Sequence, residues 1–208
     1  MRLTRDKGLY IITDCNQPDT AALIGKTEKI LEAGISILQY RDKSDDRQRR
    51  LDMARILGDM CSRTGTFFLI NDDVGLAKAS GADGVHLGKD DMPVDAARSL
   101  LGDSAIIGIS CYNDIEAARL AQAQGADYVA FGSFFQTQTK TGTVKALPGL
   151  LSAAKKKFSI PVVAIGGITP DNGGELIDAG ADLLAVISSV YSVDDPARVI
   201  LKFNALFQ

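Results

Sequence analysis

The tripeptide Gly-Ala-Asp occurs as Gly81-Ala82-Asp83, Gly125-Ala126-Asp127 and Gly180-Ala181-Asp182, each time ending a helical pattern immediately before an apolar run. Ala33-Gly34 does the same earlier in the chain. A glycine there can end a helix in the left-handed conformation, so the recurrence reads as one supersecondary unit used repeatedly. Eight short apolar runs carry the pattern, at residues 9–13, 35–39, 67–70, 84–87, 106–109, 128–131, 162–165 and 183–187. Between them lie amphipathic stretches such as 20–33, 45–63, 114–124 and 170–179, with Ser, Asp, Asn or Thr near their starts. Continuously apolar strands alternating with helices form a parallel sheet covered by helices. Eight such units close into a barrel, and no Gly-x-Gly-x-x-Gly follows the first strand to indicate a dinucleotide fold. The expected fold is α/β, a (β/α)8 TIM barrel, with residues 1–208 as a single domain.

Charge and cysteine usage narrow the partners. A formal charge of −3 provides no basic field for nucleic acid, and the run Lys155-Lys156-Lys157 reads as the solvated end of a helix, where cations suit the dipole. The longest apolar stretch, residues 160–165, is far short of the roughly 20 residues of a membrane span, and the N-terminus carries no apolar signal core. A cytoplasmic protein with no membrane partner is expected. Cys15, Cys61 and Cys111 are odd in number and widely spaced, which suits a reducing compartment and opposes a disulfide framework or a zinc site. His86 is the single histidine, so mechanisms needing two are excluded.

Barrel chemistry sits on the loops after the C-terminal ends of the strands. There the sequence supplies Thr13-Asp14, Gln39-Tyr40-Arg41-Asp42-Lys43, Asn71-Asp72, the segment from His86 to Asp91, Ser110, Gly132 to Lys140, Gly166-Gly167 and Ser188-Ser189. Arg41 offers a planar fork for phosphate oxygens, and Lys43 and Lys140 offer compact charges that follow an oxygen as it becomes anionic. The alternative makes Arg41 and Lys43 surface ion-pair partners of Asp42 or Asp45. Asp72 and Asp91 are hard oxygen ligands of the kind Mg2+ takes, one or two carboxylates plus substrate phosphates and water. In the other reading Asp72 caps a helix and Asp90-Asp91 begins one.

Gly166-Gly167 lies between a buried strand and a helix expected to start at Pro170, which lets the backbone approach an anion closely. With Ile187-Ser188 it matches the phosphate site that barrels form after strands seven and eight. The hydroxyl-rich stretch 132–143 is the best lid candidate. His86 suits a hydrogen-bonded barrel residue as well as an acid or base, and stays outside the catalytic set.

In this order, the residues closely resemble the thiamine phosphate synthase family, from Leu9-Tyr-Ile-Ile-Thr-Asp14 to Ala185-Val-Ile-Ser-Ser-Val190. The specific parts are Gln-x-Arg-x-Lys, the Asn-Asp pair, His-x-Gly-x-x-Asp, Thr-x-Thr-Lys and Ile-Gly-Gly-Ile. The resemblance implies that Gln39, Arg41, Lys43 and Asn71 bind a pyrimidine diphosphate, that Asp72 and Asp91 hold Mg2+, and that Ser110 and Lys140 reach the diphosphate. Arg41, Lys43, Ser110 and Lys140 would be the catalytic group. Thr137, Thr139, Gly167, Ile187 and Ser188 would receive a thiazole phosphate. In the family, diphosphate leaves the pyrimidine methylene first and the thiazole nitrogen captures the resulting cation. The chain departs from the family at Phe135-Gln136 and Gln138, where prolines are usual, and at Ser110-Cys111-Tyr112-Asn113, which replaces Ser-x-His-Thr. Two alternatives follow: a thiazole tautomerase, which uses a histidine where Tyr112 stands, and a non-catalytic binder of thiamine precursors. The sequence leaves the oligomeric state open, a homo-oligomer included.

Overall fold

The computed structural model describes residues 7–15, 19–136 and 146–208. Its strands are β1 (Gly8–Ile12), β2 (Ile37–Tyr40), β3 (Phe67–Asn71), β4 (Gly84–Leu87), β5 (Ile106–Tyr112), β6 (Tyr128–Phe131), β7 (Val162–Ile165) and β8 (Leu183–Val186). All pair in parallel with their sequence neighbours, and β8 returns to β1 to close the barrel. The helices are α1 (Thr20–Glu32), α2 (Arg47–Thr64), α3 (Val74–Ser80), α4 (Val94–Leu101), α5 (Ile115–Ala123), α6 (Gly149–Lys157), α7 (Gly173–Asp178), α8 (Ser188–Tyr191) and α9 (Pro196–Asn204). The barrel expected from the sequence is the one observed.

Side chains alternate across each strand. One parity, including Tyr10, Ile37, Leu69, Ile106, Tyr128 and Val163, packs together inside the barrel. The other parity, including Leu9, Leu38, Phe68, Val85, Ile107 and Val129, meets the helices in a larger apolar layer. Both faces of the sheet are buried, which is why the strands read as unbroken apolar runs.

The Gly-Ala-Asp repeat has a function in each half. Gly81 caps α3 at φ +73, and Gly125 and Gly180 likewise take positive φ, 91 and 116 degrees. The aspartates then brace the barrel floor. Asp83 accepts the Phe68 N–H at 2.8 Å, Asp127 the Ile107 N–H at 2.8 Å, and Asp182 the Val162 N–H at 3.0 Å. Each carboxylate thus satisfies a backbone donor at the start of the preceding strand, a group that would cost about 1–3 kcal/mol if buried unpaired. Helix starts are set by Asp19, Asp46, Asp73, Asp114 and Asp195, each accepting a first-turn N–H.

Several details differ from the sequence expectation. The seventh helix begins at Gly173 rather than Pro170, because the Asn172 side chain accepts the Thr169 N–H at 2.8 Å and holds a turn there. The fifth strand continues to Tyr112 through a register shift after Ser110. Lys155 does not simply face solvent; it pairs with buried Asp182, leaving Lys156 and Lys157 exposed. Among the described residues no helix is long and apolar enough to cross a membrane. All three cysteines are free, with Cys61 and Cys111 buried.

Candidate active site

Counting along the inward parity from the barrel core reaches Gln39 in β2, Asn71 in β3, His86 in β4 and Ser110 in β5. The registers Asn71↔His86 and His86↔Gly108 set these inward positions at similar height near the C-terminal mouth. Gln39 is buried, whereas Asn71, His86 and Ser110 are part-exposed.

The segment after β2 is held by its outward-facing members. Buried Asp42 accepts from Tyr40 Oη at 3.0 Å, from the Ser44 N–H at 2.8 Å and from Arg49 Nη2 at 2.7 Å. Burial raises the Asp42 carboxyl, but the Ser44, Tyr40 and Arg49 donors outweigh it and hold it below the usual range. The Arg41 N–H donates to Thr13 Oγ1 at 2.9 Å, tying this loop to the end of β1. Asp42 is thereby occupied by Arg49, and Lys43 pairs instead with Asp72 across the gap to the third loop.

After β3, Asp73 rather than Asp72 caps α3, accepting the Leu76 N–H at 2.8 Å. Asp72 has φ 62, and Tyr112, at the end of β5, has φ 53. They are the non-glycine residues of positive φ among the described residues, and both sit at the mouth, where strained backbone is characteristic of functional sites. Asp91 does not begin α4, which starts at Val94 after Pro93; its Oδ2 accepts the Gly88 N–H at 2.6 Å.

Asp72 and Asp91 lie close enough for each carboxyl to shift the other. Burial raises both carboxyls, but Lys43 and the neighbouring Asp91 carboxyl bring Asp72 below its ordinary value. Asp91 is pushed up by burial and by the Asp72 carboxylate, against the Gly88 N–H. Two carboxylates near enough to share a proton are near enough to share a divalent cation, and their hard oxygens fit Mg2+. Among the described residues no three His, Cys, Asp or Glu gather as a ligand set. A cation here would therefore complete its shell with substrate oxygens and water.

Behind the mouth runs a polar chain inside the barrel. Gln39 Nε2 donates to Tyr10 Oη, Tyr10 Oη bonds Tyr128 Oη at 2.8 Å, Tyr128 Oη bonds His86 Nδ1 at 2.8 Å, and His86 Nε2 bonds Ser110 Oγ at 2.9 Å. His86 is indeed a hydrogen-bonded barrel residue, stacked on Tyr128 with ring planes 18° apart.

On the far side, the loop after β6 is fastened to the end of β7 by Phe134 N–H to Ile165 O at 3.3 Å and Phe135 N–H to Gly166 O at 3.0 Å. Gly167, at φ 63, packs so closely on this loop that a Cβ would lie 2.4 Å from the Gln136 carbonyl oxygen. Ile187 precedes the short helix α8, of which exposed Ser188 is the first residue. The lid expectation at Thr137, Thr139 and Lys140 lies outside the described residues. An open groove of about 610 Å3, lined by Arg55, Asp59, Ser62 and Asp83 among others, lies at the opposite rim and includes none of these residues.

Sequence reasoning overlooked Tyr10 and Tyr128, and it read Asp42 only as a surface partner of Arg41 or Lys43, whereas it is buried and paired with Arg49. The tyrosines are hidden within apolar runs, yet their strand parity matches that of Gln39 and Ser110, which is the signal that finds them.

The thiamine monophosphate synthase family model matches residues 9–190. A thiamine-phosphate synthase of Azoarcus sp. (strain BH72) is 51% identical over 203 residues, covering 98% of each chain. One from Xanthomonas campestris pv. campestris (strain 8004) is 51% identical over 205 residues, covering 99% of this chain and 98% of its own. The solved structure of a thiamine phosphate pyrophosphorylase from Pyrococcus furiosus superposes with a TM-score of 0.86 at 32% identity, covering 98% of this chain and 96% of its own. The chain therefore belongs to the thiamine monophosphate synthase family of transferases.

Proposed function

We propose that the mouth of this barrel grips the diphosphate of hydroxymethylpyrimidine diphosphate and, as diphosphate departs, joins the pyrimidine to a thiazole phosphate, giving thiamine phosphate. The observation that carries this reading is the meeting of Lys43, Asp72 and Asp91, three residues from separate loops, at one rim. Arg41, Lys43, Ser110 and Lys140 stabilise the charge that grows on the leaving diphosphate, a contribution of about 10²–10³ in rate per well-placed donor. Gln39 and Asn71 orient the pyrimidine. Thr137, Thr139, Gly167, Ile187 and Ser188 receive the thiazole phosphate.

Asp72 and Asp91 would hold Mg2+, which would supply positive charge to offset that of the diphosphate. The bond that breaks joins the pyrimidine methylene carbon to the diphosphate oxygen; the bond that forms joins that carbon to the thiazole nitrogen. No protein nucleophile is needed, because the electron pair leaves with diphosphate and returns from the thiazole ring nitrogen. The reading treats residues 1–208 as one cytoplasmic catalytic domain, with self-association compatible with it.

Purified protein incubated with Mg2+ and both phosphorylated precursors should release diphosphate and thiamine phosphate in equal amounts. Saturable binding without product would instead mark a binder of thiamine precursors. Isomerisation of the thiazole alone would mark a tautomerase, a reading that Tyr112, in place of that enzyme's histidine, disfavours.

A further inference from the structure

We propose that Tyr10 and Tyr128 are positioning residues, forming with Gln39 and His86 a hydrogen-bond chain of fixed polarity that frees the Ser110 hydroxyl proton for an anion at the mouth. The polarity follows from counting protons. Gln39 Nε2 donates to Tyr10 Oη, whose other partner among the described residues is Tyr128 Oη, at 2.8 Å. Tyr10 therefore donates to Tyr128. Tyr128, having accepted, passes its own proton to His86 Nδ1 at 2.8 Å, which fixes the imidazole as the neutral form protonated at Nε2. That Nε2–H donates to Ser110 Oγ at 2.9 Å. Ser110 is then an acceptor on its buried side, and its single proton is available on the open side.

The chain is built for this. Burial raises both tyrosine hydroxyls, so each keeps one proton to give at any working pH. Tyr10 meets Tyr128 edge-on at a centroid distance of 5.9 Å, and Gly108 leaves the space that the Tyr128 ring occupies. A Gln39 amide turned the other way would reverse every donor and commit the Ser110 proton to His86. The amide of Gln39 and the hydroxyl of Ser110, in strands β2 and β5, are thus set by one another. The inference rests on the proposed roles of Gln39 and Ser110 only for its consequence, not for the chain itself.

The test uses the whole chain, whose single histidine makes its side-chain 15N signals unambiguous. At pH 7.5 the wild type should show His86 protonated at Nε2 alone; protonation at Nδ1, or at both nitrogens, overturns the proposal. Tyr128→Phe, which removes the donor to Nδ1, should replace that pattern by a mixture of tautomers; an unchanged pattern also overturns it. Inorganic diphosphate with Mg2+, measured by calorimetry, should bind roughly tenfold more weakly to Ser110→Ala, as expected for one charge-assisted hydrogen bond, and about twofold more weakly to Tyr128→Phe, in which only part of the population keeps the Nε2–H tautomer. The double variant should lose little more than Ser110→Ala. Losses that multiply would show that Tyr128 does not act through Ser110. Absence of diphosphate binding to the wild type would sink the proposed function instead, while the nitrogen signals still decide the chain.

Discussion

Gly108 in β5 stands against Tyr128 in β6: a Cβ built on Gly108 would lie 1.8 Å from the ring carbon bearing the Tyr128 hydroxyl and 2.3 Å from the hydroxyl oxygen. The missing side chain on one strand is the room for the ring on the next. Gly108→Ala should therefore force the ring aside and destabilise by about 1–3 kcal/mol, the usual cost of overpacking. Thermal melting of Gly108→Ala alone and with Tyr128→Phe checks this. The added removal of the hydroxyl should recover part of the loss, whereas an alanine variant as stable as wild type would contradict the packing described.

Asp182→Ala should cost about 1–3 kcal/mol, because it leaves the buried Val162 N–H without an acceptor and Lys155 without its partner. Chemical denaturation gives the value. A change below a few tenths would mean that the repeated aspartates do not brace the barrel floor.

Asp42 makes a pH prediction whose sign is fixed by its depressed carboxyl. A folded-state value below the unfolded one, near 3.9, contributes stability that is present above the unfolded value and lost as pH falls through the folded one. Asp42→Asn should thus melt below wild type at pH 7, with the gap closing as the pH is lowered from about 5 toward 3. A gap that stays constant over that range would contradict the account.

The barrel was legible because both faces of its sheet are buried and its strands read as apolar runs, punctuated by Gly-Ala-Asp. The glycines were readable as caps, but the bracing role of Asp83, Asp127 and Asp182 was not, since it depends on pairing with the preceding strand. The cluster at the mouth was partly legible: strand-end position points to Lys43, Asp72 and Asp91, while only the fold shows that they touch. Which of Asp72 and Asp73 caps α3 turns on one φ angle, and no local pattern reveals it. Tyr10 and Tyr128 lie 118 residues apart, beyond the reach of any spacing rule.

Lys43→Ala should lower turnover about a hundredfold, on the scale of losing one preorganised donor to a developing anion, while leaving the melting temperature nearly unchanged. Its side chain is 58% exposed, so its ion pair with Asp72 contributes little to folding. Steady-state rates set beside thermal melts separate the two effects. A large loss of stability with normal turnover would reverse the assignment.

The most direct measurement is Mn2+ binding followed by electron paramagnetic resonance, with Mn2+ standing in for Mg2+ at an all-oxygen site. Wild type should bind Mn2+ more tightly when inorganic diphosphate is present, and Asp72→Asn and Asp91→Asn should each weaken that binding about tenfold or more. Equal Mn2+ affinity in wild type and both variants, with diphosphate present, would contradict a metal-bound diphosphate held at the barrel mouth.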